Sequence, residues 1–163
     1  MARVRMCEFP DDLYFDVDLD VWARKLEDGT VYLGMTDPAQ TRAGKVLHVR
    51  ARVGKVVNAK KSLATIESGK WVGPFPAPFR ATVLALNPQV AADPNIINIS
   101  PYEQGWIVQV KPEIEDWPQE NLILGSAAAS HYEEKLKAEG LTCVRCVPPL
   151  QGSTPPTPPD ISL

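Results

Sequence analysis

Between Leu13 and Met35 large apolar side chains alternate with polar ones, a period of two that commits the chain to half-buried strands rather than helices. Within that stretch Glu27-Asp28-Gly29 sits where a tight reversal joins Val21–Leu26 to Thr30–Leu33, so an opening β-hairpin is predicted. Thr36-Asp37-Pro38-Ala39-Gln40 follows, with an N-cap candidate directly before a proline suited to the first helical position and Gly44 to stop the helix. Alternation resumes over Lys45–Ala51, Gly54-Lys55 turns the chain, and Lys61–Ile66 forms another short strand before Glu67-Ser68-Gly69-Lys70 breaks the pattern. The prolines of Trp71–Pro78 restrict that segment to extended or edge positions. Two further strands, Ala81–Leu86 and Gly105–Val110, are separated by Asn87-Pro88 and a polar, proline-bearing segment. Val46 and Val49 before one turn echo Val83 and Leu86 before the next, the pattern of two similar sheet halves facing each other.

After Pro118 the period becomes helical. Leu122 and Leu124, then Tyr132 and Leu136, are spaced for one face, and Gly140 supplies the C′ glycine. Helices there would cap one end of the sheet. Beyond Val147, paired prolines lie among Ser, Thr and Gly, which predicts a disordered tail over residues 147–163 and a single compact domain over residues 1–146. Such a domain needs neither metal nor disulfides to fold.

Charge narrows the function. Lys+Arg total 17 against Asp+Glu 20, a net charge of −3, so no basic field draws in a nucleic-acid backbone. The two arginines at the N-terminus are followed by Asp11 and Asp12 instead of an apolar segment, and no roughly 18-residue apolar run occurs. These features predict a cytoplasmic protein without a membrane segment. Three cysteines, an odd number, in a reducing cytoplasm argue against a disulfide framework.

Few residues carry chemistry by spacing alone. Cys143-Val144-Arg145-Cys146 is compatible with half a zinc site, a redox pair or chemically inert thiols. It follows a predicted helix and precedes Pro148-Pro149, the wrong place for a dipole-activated thiol, and a zinc site would need Cys7 with His48 or His131 to complete it. Asp11-Asp12 and Glu133-Glu134 read as solvated faces. Trp22, Trp106 and Trp117 read as core, whereas Trp71 stands next to Lys70. No nucleophile has a base at suggestive spacing, and no phosphate-cradling glycine loop occurs, so the isolated chain is not expected to be an enzyme. Lys70 follows a glycine in a turn between strands, which on its own describes many solvated lysines.

The weighing changes with resemblance. Glu67-Ser68-Gly69-Lys70 followed by Pro76-Ala77-Pro78 resembles the modification loop of the glycine cleavage system H protein family. In register with it, Gly34-Met35-Thr36-Asp37-Pro38-Ala39-Gln40 resembles that family's Gly-Ile-Thr-Asp-His-Ala-Gln, and Ser100-Pro101-Tyr102-Glu103-Gln104-Gly105-Trp106 resembles its Ser-Pro-Tyr-Glu-x-Gly-Trp. The resemblance implies a mainly β barrel-sandwich hybrid of two small sheets, with a short helix after the first hairpin and C-terminal helices. It also implies a lipoyl carrier domain over residues 1–146, with lipoate in amide linkage to Lys70 and Glu67, Ser68 and Gly69 as the modification loop. Gly69 would supply φ > 0 for the hairpin and project the lysine away from the sheet. Acylation would turn a solvated cation into a neutral amide and make the chain a monomeric swinging arm, holding cargo at high effective concentration near each partner. Biotin is disfavoured, because biotinyl domains resemble one another in a methionine on each side of the lysine, where this chain has Gly69 and Trp71.

Two departures bear on cargo. H proteins of the glycine pathway have a glutamate before the first-hairpin tryptophan and the histidine of Thr-Asp-His-Ala-Gln, where this chain has Val21 and Pro38. Cys7–Tyr14 and Glu67–Pro74 look more like the lipoate-binding proteins of sulfur oxidisers. The implied partners are therefore a lipoate-attaching enzyme, a heterodisulfide-reductase-like complex that oxidises sulfur carried on the arm, and a dihydrolipoamide dehydrogenase. The alternatives are a glycine cleavage carrier of aminomethyl groups and, from another class, an unmodified binding module or lipoate-transfer relay.

Overall fold

A computed structural model describes residues 1–145. The predicted tail and Cys146 lie outside the described residues. The opening alternation forms strands β3 (Tyr14–Asp16), β4 (Val21–Lys25) and β5 (Val31–Met35), after an N-terminal hairpin of β1 (Ala2–Val4) and β2 (Cys7–Phe9). Helix α1 (Asp37–Ala43) follows, then β6 (Val46–Ala51), β7 (Val56–Val57), β8 (Ser62–Ser68), β9 (Val72–Pro76) and β10 (Ala81–Leu86). Short helices α2 (Pro88–Ala92) and α3 (Ile96–Ile99) lead to β11 (Val108–Pro112), β12 (Ile123–Leu124) and α4 (Gly125–Glu139).

The strands make a seven-stranded sheet in the order β12-β3-β4-β5-β11-β10-β7 and a three-stranded sheet in the order β6-β8-β9, beside the two-stranded β1-β2 hairpin. The larger two sheets share one core, in which Val21, Leu33, Val83 and Val110 meet Leu63, Ile66 and Phe75. The fold is mainly β, as expected. A second cluster, Phe9, Phe15, Trp22, Tyr102, Tyr132 and Leu136, fixes α4 against the N-terminal strands. The proline-bearing β9 is an edge strand, which places its missing N–H groups where no ladder needs them.

The internal echo has a backbone counterpart. β6 bulges between Val46 and His48 against β8, and β10 bulges between Val83 and Ala85 against β11. Each bulge sets one leucine, Leu47 and Leu84, into solvent.

Several expectations need correction. Thr36, one residue earlier than the position directly before Pro38, caps α1 by accepting from the Ala39 N–H at 3.3 Å. The Asp37 carboxylate is thereby left to bind the Glu8 N–H and the Arg145 guanidinium. Leu122 and Leu124 lie before α4, in a loop and in β12, because the β12 pairing with β3 wins over helical spacing. Strand β11 starts at Val108 rather than Gly105, whose close approach to the backbone of Ser100 and Ile96 closes a turn. The polar, proline-bearing segment between β10 and β11 folds as α2 and α3.

The cysteine expectation also fails: Cys7 and Cys143 form a disulfide with Cα atoms 4.9 Å apart. The odd count misled, since Cys7 and Cys143 pair across a sequence separation of 136. His48 and His131 are both exposed, and no metal-competent cluster occurs among the described residues. No helix among them is long and apolar enough to cross a membrane.

Candidate functional site

The Lys70 hairpin joins β8 to β9, with Glu67 opposite Val72 in the last ladder pair. Its tip is closed by the Ser68 N–H donating to the Trp71 carbonyl at 2.8 Å, while the Ser68 hydroxyl accepts from the Lys70 N–H at 3.3 Å. Ser68 is buried, whereas Glu67, Gly69 and Lys70 are exposed. Gly69 is not among the residues at positive φ, so the role assigned to it fails. The Ser68 side chain stabilises this reversal by local hydrogen bonding, which needs no left-handed residue.

The lysine does not simply project from the sheet. A Cβ on Gly44, at the C-cap of α1, would lie 2.9 Å from Lys70 Cε, 3.6 Å from Cδ and 3.7 Å from Cγ. The Lys70 stem therefore crosses the bare backbone of Gly44, whose φ of +75° already favours glycine. Its ammonium takes part in no salt bridge among the described residues.

Gly44 is held from beneath by Asn98 of α3, which sequence reasoning missed. The buried Asn98 amide donates to the Gly44 carbonyl at 2.8 Å, and its oxygen accepts from the Val46 N–H at 2.9 Å. The same amide reaches Gln40 Oε1 at 3.1 Å. The only hint in the sequence was one amide among three isoleucines, Ile96-Ile97-Asn98-Ile99, a polar group that must find partners if buried.

A groove of about 450 Å³ opens beside the hairpin. One wall is Met35 with Ala39, Arg42 and Ala43 of α1; the other is Trp71 with Pro74, Phe75 and Pro76 of β9. Asp18, Leu19 and Asp20 close it. Asp20 is committed, since it pairs with Arg42, takes a hydrogen bond from the Tyr132 hydroxyl at 2.7 Å and one from the Lys135 ammonium at 3.0 Å. Burial works against the Arg42 charge, but hydrogen bonds from Arg42 to Glu139 and the charges of Asp20 and Glu139 hold its basicity above the ordinary value. Burial, reinforced by Asp20, likewise pushes the Tyr132 phenol well up and keeps it a neutral donor. Asp18 is exposed at the groove and uncommitted among the described residues. Val21 and Pro38 are both buried and line no part of the groove, so its acidic equipment comes from positions that the sequence did not single out.

The glycine cleavage H-protein family matches residues 13–139, from β3 through α4. The chain belongs to that family. It is 46% identical to glycine cleavage system H protein 3 of Aquifex aeolicus over 145 residues, covering 86% of this chain and 90% of the relative. It is 41% identical to the probable glycine cleavage system H protein 2 of Sulfurisphaera tokodaii over 150 residues, covering 89% and 99%. The crystal structure of a glycine cleavage system H protein from Mycobacterium marinum superposes with a TM-score of 0.64 at 27% identity, covering 76% of this chain and 98% of that one. The family match spans the Lys70 hairpin, the Gly44 cradle and the groove together.

Proposed function

We propose that this chain is a lipoyl carrier of glycine cleavage: a lipoate-attaching enzyme acylates Lys70, and the loaded protein passes aminomethyl groups from a decarboxylase to an aminomethyltransferase in the cytoplasm. A dihydrolipoamide dehydrogenase returns the dithiol to the disulfide. The single observation that carries the reading is the exposed Lys70 stem crossing Gly44, where any Cβ would meet it at 2.9 Å. That cradle fits a lysine made neutral and longer by acylation, because the stem already has a bare backbone to lie on and an apolar groove next to it. When bound, the lipoyl group supplies a dithiol–disulfide pair at the end of a long neutral arm.

The chain's own residues divide the remaining work. Ser68 and Trp71 close the tip and offer the Lys70 amine to an attaching enzyme. Asp18 presents an uncommitted carboxylate that favours a cationic amine in the groove, while Arg42, the cation among the described lining residues, is tied to Asp20 and Glu139. Partners supply catalysis. Intact mass of the natively produced protein should rise by one lipoyl group, and Lys70→Arg should abolish the increment. Glycine-dependent loading by a decarboxylase should then be measurable, and Asp18→Asn should slow it without changing the lipoyl increment.

A second reading keeps the arm and changes the cargo to sulfane sulfur delivered to a heterodisulfide-reductase-like complex. Its support is that Val21 and Pro38 are buried and apolar where glycine-pathway relatives have glutamate and histidine. The numbering of Aquifex aeolicus relatives as H proteins 2, 3 and 5 also fits a division of tasks among copies. The relatives' names favour the aminomethyl reading over this one. Loading of the purified lipoylated protein from glycine decarboxylase at the rate of an ordinary H protein would remove the second reading.

A further inference from the structure

Gly73 is the second residue of β9, paired in register with Ile66, and is not among the glycines at positive φ. A strand interior disfavours glycine unless another group needs its space. Here that group is the indole of Trp71, two residues earlier and so on the same face: a Cβ on Gly73 would lie 2.1 Å from Trp71 Cζ2 and 2.6 Å from Cε2. The indole fills the space over Gly73 on its own strand.

The molecule contains a finished version of the same device. Trp22 lies on Gly34, its cross-strand partner, where a Cβ would meet the ring at 2.5 Å. That indole is fully buried beside Tyr102 and donates to the Pro101 carbonyl at 2.9 Å. Trp71 has the glycine platform without the cover: it is 38% exposed and lines the groove. Lys70, its neighbour in the chain, lays its stem on Gly44, and Ala43, the residue before Gly44, lines the groove together with Trp71. Any group attached to Lys70 thus starts beside the α1 terminus, with the Trp71 indole among the walls within its reach. An apolar chain tethered at the adjacent residue arrives there at high effective concentration and buries both surfaces.

We propose that Trp71, packed over Gly73, is a positioning residue that presses the methylene chain of a lipoyl group on Lys70 into the groove it lines with Ala43, and so sets how often the arm lies in the groove rather than in solvent. This rests on the lipoyl-carrier reading. Gly73 is required because a Cβ there would displace the indole, and Trp71 because it supplies the covering area.

The test uses the full chain, lipoylated at Lys70 and reduced, with capture of the arm thiols by iodoacetamide followed by mass on the peptide that contains Lys70. Wild-type protein should react more slowly than Trp71→Ala by about fivefold, the effect of uncovering one or two methylenes. Gly73→Ala keeps the indole but displaces it, and should match Trp71→Ala, while Trp71→Phe should fall between. Indole emission should also move to shorter wavelength when Lys70 carries an octanoyl group, which has the methylenes and no sulfur, and Trp71→Phe should lose that change. Equal capture rates in wild type, Trp71→Ala and Gly73→Ala, with thermal midpoints unchanged, would overturn the proposal and leave the carrier reading standing. A native protein whose mass has no lipoyl increment would overturn both.

Discussion

Two hairpin tips in this molecule turn the chain by different means. The β4–β5 tip is self-sufficient: Gly29 sits at φ +88° with open space around it, and the Asp28 carboxylate accepts from both the N–H and the hydroxyl of Thr30. The Thr30 hydroxyl, then its N–H, holds the Asp28 carboxyl below the ordinary aspartate range. The β8–β9 tip closes through Ser68 without a left-handed glycine, and its lysine leans on Gly44, a residue that is remote in sequence and itself anchored by Asn98. One tip is a local turn. The other is a display assembled from α1, α3 and two strands, and what separates them is the surface under the side chain rather than the turn.

The sharpest way to break that comparison is to move the lysine. In a Lys70→Arg background, Asp28→Lys puts an exposed amine on the self-sufficient tip; intact mass should show no lipoyl increment, and an increment there would mean that a hairpin lysine alone suffices. Next in size is Asn98→Leu, which leaves the Val46 N–H and the Gly44 carbonyl without their buried partner. Urea denaturation should register a loss of about 2–3 kcal/mol, since a buried group left unpaired costs about 1–3 kcal/mol. Lipoylation should slow with it.

Paired alanine substitutions sharpen the contrast further. Gly44→Ala and Gly29→Ala both force a side chain to positive φ, at a cost of about 1–2 kcal/mol each. Gly44→Ala should additionally lower the rate of Lys70 acylation, because its Cβ meets the lysine stem, whereas Gly29→Ala should leave that rate alone.

The smallest effect concerns acid. The Arg42 hydrogen bonds hold the Glu139 carboxyl below the ordinary glutamate range. Its folded value is depressed, so the pair's contribution is present above the unfolded glutamate value of about 4.3 and lost as pH falls through the folded value. Glu139→Gln should therefore flatten the acid limb of the stability profile by a few tenths of a kcal/mol, the scale of a partly exposed ion pair. Asp28 of the β4–β5 tip is held low in the same sense, so Asp28→Asn should flatten that limb as well.

The parts of the fold legible in the sequence are those written locally. The β4–β5 hairpin with Gly29, the stop of α1 at Gly44, the edge character of β9 and the Gly140 helix end all follow from turn chemistry within a few residues. Lys70 was found through resemblance, because spacing alone does not distinguish it from other turn lysines. What stayed hidden depends on long-range partners. Asn98 finds Gly44, Cys7 finds Cys143, and Leu122 and Leu124 are taken from a helix by pairing with β3 and packing in the core. Gly73 was hidden for another reason: its meaning lies in the volume of Trp71, and a one-dimensional pattern contains no volumes.

The bond between Cys7 and Cys143 closes nearly the whole described chain into a covalent ring. A single peptide cleavage between those positions, even at the Lys70 tip, cannot release a fragment, and the nicked protein stays one covalent species until a thiol reagent lets the pieces part. Traction applied at Met1 and at residues past Cys143 likewise passes through the two sulfur atoms and bypasses the two larger sheets, so the body that carries the lysine is shielded from force on its ends.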